Sequence, residues 1–140
     1  MTRYETDIDI SATPDVVWRT LTHDMPQSPS AYGIVRLQGQ IAAYARIKLW
    51  SEVSPKRAFH LTVVAFEPSV KMVWRGGMPF GLFTGTRTFA LSAQPQGGCR
   101  FAMQEVFSGP LSGLITRSIP DLTPSFETFA QTLKARAEAQ

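Results

Sequence analysis

Thr84-Gly85-Thr86-Arg87-Thr88-Phe89-Ala90-Leu91-Ser92-Ala93, then Pro95-Gln96-Gly97-Gly98, then Cys99-Arg100-Phe101-Ala102-Met103-Gln104-Glu105-Val106-Phe107 is the stretch from which the rest of the chain can be placed. Both arms alternate with the period of two that sends successive side chains to opposite faces of a strand. The Pro/Gly segment between them supplies a tight turn. The stretch therefore reads as an antiparallel hairpin. In the second arm Phe101, Met103, Glu105 and Phe107 share one face. In the first, Phe83, Arg87, Phe89 and Leu91 share a face, and Thr84, Thr86, Thr88 and Ser92 the opposite one. The Thr/Ser face suits solvent, which turns Arg87 inward with the apolar residues. One register sets Arg87 opposite Glu105, Phe89 opposite Met103 and Leu91 opposite Phe101. A register shifted by two makes Arg87 and Glu105 diagonal neighbours, still within reach of long side chains. Either way a cation and an acid meet on an otherwise apolar face.

Upstream of the hairpin the chain is mostly strand. Ile34–Gln38, Ile41–Val53, Phe59–Phe66 and Val70–Arg75 are separated by short turns, at Pro55-Lys56-Arg57 and Glu67-Pro68-Ser69 among others. Strands in succession with short turns predict an antiparallel meander. Earlier still, Tyr4–Ile10 alternates as a half-buried strand with Tyr4, Thr6, Ile8 and Ile10 on one side. Thr13-Pro14-Asp15 then starts a helix, with Thr13 as N-cap. Met25–Gly33, interrupted by Pro26 and Pro29, reads as a short helix or loop. After Gly109-Pro110 the period becomes helical, through Leu111, Leu114 and Ile115, then Leu122, Phe126, Phe129, Ala130, Leu133 and Ala137. Pro120 and Pro124 break this pattern, and Thr123 is placed to cap the second half. The order predicts an α+β fold of about seven strands, with two short helices after the first strand and a long C-terminal helix. A strongly twisted sheet cannot lie flat along a straight helix, so a cavity between the two is expected.

The chain has 140 residues, 44% of them hydrophobic and 18% charged, a composition able to bury a core. No linker divides it, so one domain spanning residues 1–140 is expected. Its N-terminus, Met1-Thr2-Arg3-Tyr4-Glu5-Thr6-Asp7, carries no apolar signal stretch, which places the protein in the cytoplasm by default. No run is long enough to insert stably in a membrane. One cysteine and two histidines leave no basis for a disulfide framework or a metal site. The net charge of +3 is too small and too scattered to imply nucleic acid. Acidic residues are absent from Pro68 to Gln104. No phosphate-binding glycine loop and no nucleophile elbow is present, and no cofactor is expected.

Three segments, in order, resemble the SRPBCC (START-like, Bet v 1-like) superfamily, and within it the bacterial polyketide cyclase/dehydrase and lipid-transport branch. They are Ile8 to Leu21 with its Thr13-Pro14 and Val17-Trp18, Pro68 to Gly76 ending in Val73-Trp74-Arg75-Gly76, and Glu105-Val106-Phe107-Ser108-Gly109-Pro110-Leu111. The resemblance covers essentially the whole chain. It implies a helix-grip fold, a curved antiparallel sheet wrapped around the C-terminal helix with a hydrophobic cavity between. Many members carry a tryptophan before the second strand; here Tyr32 is the only aromatic in that segment, so the pocket mouth is expected to differ.

Three functions are consistent with this reading. The first is binding of a small hydrophobic ligand, a lipid, a polyketide-like or an aromatic molecule. Phe83, Phe89, Leu91, Phe101, Met103, Phe107, Leu122, Phe126 and Phe129 would line the cavity, with Arg87 and Glu105 orienting a polar group. The second is a cyclase or dehydratase that uses the same cavity, with Glu105 as general acid or base. The third is a protein-interaction module, toxin-like or co-chaperone-like. Arg87 and Glu105 also fit a purely structural buried pair, and Trp74 either a pocket wall or ordinary core. Ala43, Ala45, Ile47 and Leu49 form the likelier inner face of their strand. Tyr44, Arg46, Lys48 and Trp50 are then left outside, as a solvated stripe or a homodimer contact. Gly76–Phe83 is rich in both glycine and large apolar residues. It reads as a lid or lipid-touching tip, or as a loop folded back onto the core. Cys99, beside the turn, is expected to be inert.

Overall fold

Alternation along the chain produces seven strands in the computed structural model, which describes residues 2–52 and 54–140. They are β1 (Thr2–Ile10), β2 (Ile34–Gln38), β3 (Arg46–Ser51), β4 (Ser54–Glu67), β5 (Lys71–Gly77), β6 (Thr84–Ala93) and β7 (Cys99–Ser108). All pair antiparallel in one curled sheet of order β1-β7-β6-β5-β4-β3-β2. Strands β2 to β7 form the meander, and β1 adds to its far edge against β7. The β6–β7 register sets Arg87 opposite Glu105, Phe89 opposite Met103 and Leu91 opposite Phe101. The turn thus selected the direct pairing over the diagonal one.

Two strand starts depart from the expected ones by five residues, and the other boundaries by no more than two. Strand β3 begins at Arg46 rather than Ile41, because Tyr44 adopts a left-handed backbone (φ 61°) that ends extended structure. Pairing with β4 persists through Tyr44 N–H to Val63 O and Val63 N–H to Ala45 O. Pro55-Lys56-Arg57 lies inside β4 and is not a turn. Residues 54–60 run beyond the last β4–β5 pair, Leu61 opposite Gly76, so no β5 carbonyl there awaits the N–H that Pro55 lacks. Met1, which opens the N-terminal stretch, and Val53, the expected end of the second strand, lie outside the described residues.

Helix α1 (Pro14–Arg19) starts where Thr13 Oγ1 accepts the Val16 N–H at 3.4 Å. It continues through a π-helical turn (Thr20–Asp24) into the short α2 (Met25–Gln27) and a 3-10 turn at Pro29–Tyr32. Helices α3 (Ser112–Thr116) and α4 (Thr123–Glu138) are separated at Pro120, as expected. The cap of α4 differs by one residue: Leu122, not Thr123, holds the cap position, and the Thr123 N–H donates to the Asp121 carboxylate at 2.9 Å.

Helix α4 lies in the concave face and buries Phe126, Phe129, Ala130, Leu133 and Ala137. Phe129 meets Tyr32, Phe89 and Phe101 at ring-centroid distances of 5.2, 5.9 and 6.2 Å. Burying each such ring contributes about 1.5–3 kcal/mol, so the aromatic cluster holds helix and sheet together. Ile47 and Leu49 point inward and Ala45 is half-buried, but Ala43, expected on the same face, lies in the turn before β3 and is exposed. Arg46 and Lys48 are exposed, and Trp50 is half-covered by Arg36 at 5.0 Å. This is the helix-grip arrangement.

Candidate functional site

Strand register lines up Tyr4, Glu105, Arg87, Trp74 and Val63 across five strands beneath α4. Alternation sends their neighbours to the outer face, so this row puts two charges and an indole on the covered side. Arg87 Nη2 donates to Glu105 Oε1 at 3.4 Å, with the two side chains only 20% and 13% exposed. The guanidinium carbon stands 5.0 Å from the centre of the Phe126 ring. That long contact is the one hydrogen bond the Arg87 guanidinium makes among the described residues, so most of its five donors are unused by the protein. Burial pushes the Glu105 carboxyl above its ordinary pKa; the Arg87 charge and hydrogen bond pull the other way without cancelling it. Trp74 is 1% exposed, and its indole N–H has no partner among the described residues.

A cavity of about 50 Å³ lies against this row, under the first half of α4. Of the residues expected to line it, Arg87, Met103, Leu122, Phe126 and Phe129 do so. Glu105 reaches it through Arg87. Trp74, Phe89, Leu91, Phe101 and Phe107 are instead packed into the core, and Phe83 stacks on Phe107 at 5.4 Å. Tyr32, Gly33, Ile34, Leu49, Ser51 and Ser125 complete the wall. Inward parity could have found Ile34 and Leu49. Ser125 carried no signal, since it is a polar, exposed helix residue.

A cavity lies between sheet and helix as expected, and it is small. About 50 Å³ admits one or two waters, whereas drug-sized ligands need several hundred. The rings of Trp74, Phe89, Phe101 and Phe129 fill the remaining space. A broader depression, about 560 Å³, lies on the outside of β1, β7 and β6. Its Glu5, Asp7 and Thr88 walls are polar and open to solvent, so it is a trough in the sheet without an enclosed interior.

Helix α4 is fastened unevenly. Thr132 donates to Ala31 O, Lys134 to Asp9 O and Gln140 to Thr20 Oγ1, while Glu138 accepts from Ser11 N–H. Arg136 bonds both carboxylate oxygens of Asp24 at 3.1 and 3.0 Å, and Asp24 accepts from the Tyr32 hydroxyl at 2.8 Å. Burial, then the Asp24 bond, raises the Tyr32 pKa. Apart from the bonding of Thr123 to the adjacent Asp121 carboxylate, every hydrogen bond that a side chain of α4 makes to the remainder of the protein lies, among the described residues, at Thr132 or beyond. The first half, over the cavity, is held by apolar contact and the Arg87–Phe126 stacking.

No group of three His, Cys, Asp or Glu residues suited to a metal occurs among the described residues. Burial pushes the Cys99 thiol up and keeps it protonated. None of the helices among the described residues is long and apolar enough to cross a membrane.

Residues 1–138 match the family described as polyketide cyclase / dehydrase and lipid transport. No curated protein matches the chain in sequence. Among solved structures it is similar to protein MLL2253 from Mesorhizobium loti, at 17% identity and TM-score 0.74, over 99% of this chain and 98% of that one. It is similar to an aromatase/cyclase from Streptomyces sp. R1128 at 9% identity and TM-score 0.71, over 98% and 93% of the two chains. It is also similar to Aha1 from Colwellia psychrerythraea, solved as a dimer, at 16% identity and TM-score 0.72, over 99% and 97%. Identities this low speak for the fold alone.

Proposed function

Because the chain belongs to the polyketide cyclase / dehydrase and lipid transport family, we propose that it binds a small hydrophobic ligand beneath the first half of α4. One observation carries the reading: a mostly unbonded arginine, Arg87, stands at the wall of an otherwise largely apolar cavity. Arg87 holds the ligand's polar group, and Glu105 holds Arg87 in place. Met103, Leu122, Phe126 and Phe129 touch the apolar body. Trp74, Phe83, Phe89, Leu91, Phe101 and Phe107 back that wall, and the free Trp74 N–H is a further donor for a ligand that displaces the rings.

A ligand larger than the resting cavity needs room. The unequal fastening of α4 supplies it: the first half swings outward while Arg136–Asp24 and Lys134–Asp9 hold the second. A second reading, the cyclase or dehydratase, is favoured by the raised pKa of Glu105 beside a cation, an arrangement suited to proton transfer. Under it, Glu105→Gln abolishes turnover and leaves binding intact.

The test is a titration with N-phenyl-1-naphthylamine, alongside native mass spectrometry of gently purified protein. Ser125 lines the cavity yet is exposed, so Ser125→Trp plugs the mouth without disturbing the core. We expect saturable fluorescence for the wild type, lost in Ser125→Trp at unchanged melting temperature. No saturable signal together with a bare protein mass overturns the reading.

A further inference from the structure

The loop between β5 and β6 ends in an aromatic ring held fully in water. Phe80 is 99% exposed, and its backbone is left-handed at φ 60°. A bulky residue there is strained, and such strain persists where the surrounding structure imposes it. The loop is a built element. Met78 N–H donates to Phe83 O at 2.8 Å, closing its neck. The segment leading into α3 is bonded to it through Leu111 N–H to Leu82 O at 2.9 Å. Gly109 approaches so closely that a Cβ there would lie 2.6 Å from Gly81 O. Helix α3, which starts next to the bonded Leu111, carries Leu114, 67% exposed, and Met78 and Leu82 are exposed as well. Four large apolar side chains from two bonded segments thus project from one end of the molecule, a grouping that marks an interaction surface.

The charges around it are of one sign over a long stretch of chain. From Pro68 to Pro120 the only acid is Glu105, which is buried against Arg87. Arg75 precedes the loop and Arg117 follows α3, both exposed. Residues 54–60 of β4 run past Gly76 toward the same end and add exposed Lys56 and Arg57. Of the acids that bound these segments in sequence, Glu52 precedes β4, Glu67 pairs with Lys71 at the opposite end of β4, and Asp121 after α3 accepts the Thr123 N–H at the start of α4. An apolar tip ringed by cations complements a surface with acyl chains beneath anionic headgroups.

We propose that the β5–β6 loop and α3 form a membrane-docking tip that seats Phe80 and Leu114 in the interface of an anionic bilayer. Contact is peripheral and reversible, since a few side chains bury too little to anchor permanently. Rings touch in series from the tip inward: Phe83 on Phe107 at 5.4 Å, Phe107 on Tyr4 at 6.3 Å, and Tyr4 on Phe126 at 6.4 Å. The docked tip therefore lies at the head of an apolar path to the cavity wall. The surface stands whether or not that cavity holds a ligand.

The test is flotation with vesicles of phosphatidylcholine containing a minority of phosphatidylglycerol, at low and high salt. Phe80→Gly removes the ring and suits the backbone, so its melting temperature stays level or rises. Leu114→Ser, on an exposed helix face, is the second variant. We expect the wild type to float with the vesicles and to be released by salt. Each variant should weaken partitioning, Phe80→Gly about tenfold or more. Absence of wild-type flotation, or unchanged flotation of both variants, overturns the proposal. So does a concentration-dependent dimer abolished by Phe80→Gly without vesicle binding, which would assign the tip to a second copy of the chain.

Discussion

Glu105 shows how one residue's position in a register sets its chemistry. In a strand of alternating parity it falls on the same side as Phe101, Met103 and Phe107, and desolvation raises its pKa above the ordinary 4.5. The folded protein then holds this proton at a pH where the unfolded chain has released it. Stability from this residue is full below the unfolded pKa and declines as pH rises through the folded one. Glu105→Gln removes that decline. Urea unfolding across pH should show the variant gaining on the wild type from about pH 4 upward. Asp9, Asp121 and Glu138, whose pKa values are lowered by hydrogen bonds, give the opposite slope in both proteins and cancel in the comparison. A constant difference between the two curves would contradict the burial argument. Phe80 is the matching case at the surface. Glycine at its left-handed position relieves strain of about 1 kcal/mol, so Phe80→Gly should raise stability by that order.

Helix α4 is held differently along its two halves. Its second half carries hydrogen bonds to β1, the π-helical turn and the 3-10 turn, whereas its first half depends on Leu122, Phe126 and Phe129. Local opening follows the weaker fastening. Amide exchange resolved along the helix should therefore be faster over residues 123–130 than over 131–138, and equal protection would remove the hinge. Phe129 is the keystone of the weaker half, because it alone touches Tyr32, Phe89 and Phe101. Phe129→Ala should cost about 3–5 kcal/mol, read from denaturant midpoints, and should enlarge the cavity in the same step. The break between α3 and α4 was legible at Pro120. The cap was not, because Asp121 and Thr123 compete for it and only local geometry decides between them.

For the whole molecule, a resting cavity of about 50 Å³ makes opening a condition of the proposed binding. Stopped-flow mixing with N-phenyl-1-naphthylamine should give a rate that levels off at high probe concentration, the limit set by α4 opening. A rate linear in probe throughout would mean a site already open. The sequence by itself determined the strand sequence, the inward faces, the meeting of Arg87 with Glu105 and the helix breaks. Those features follow from periods of two and 3.6 and from turn residues, which act over a few positions. Tertiary structure alone decided how much space remains under α4, that Ser51 and Ser125 reach it, where α4 is pinned, and that Phe80 stands free in water. Each of these depends on how side chains distant in sequence, such as Tyr32, Phe89 and Phe129, share one volume. Dense packing leaves that volume to the sum of all of them, and no local pattern encodes the sum.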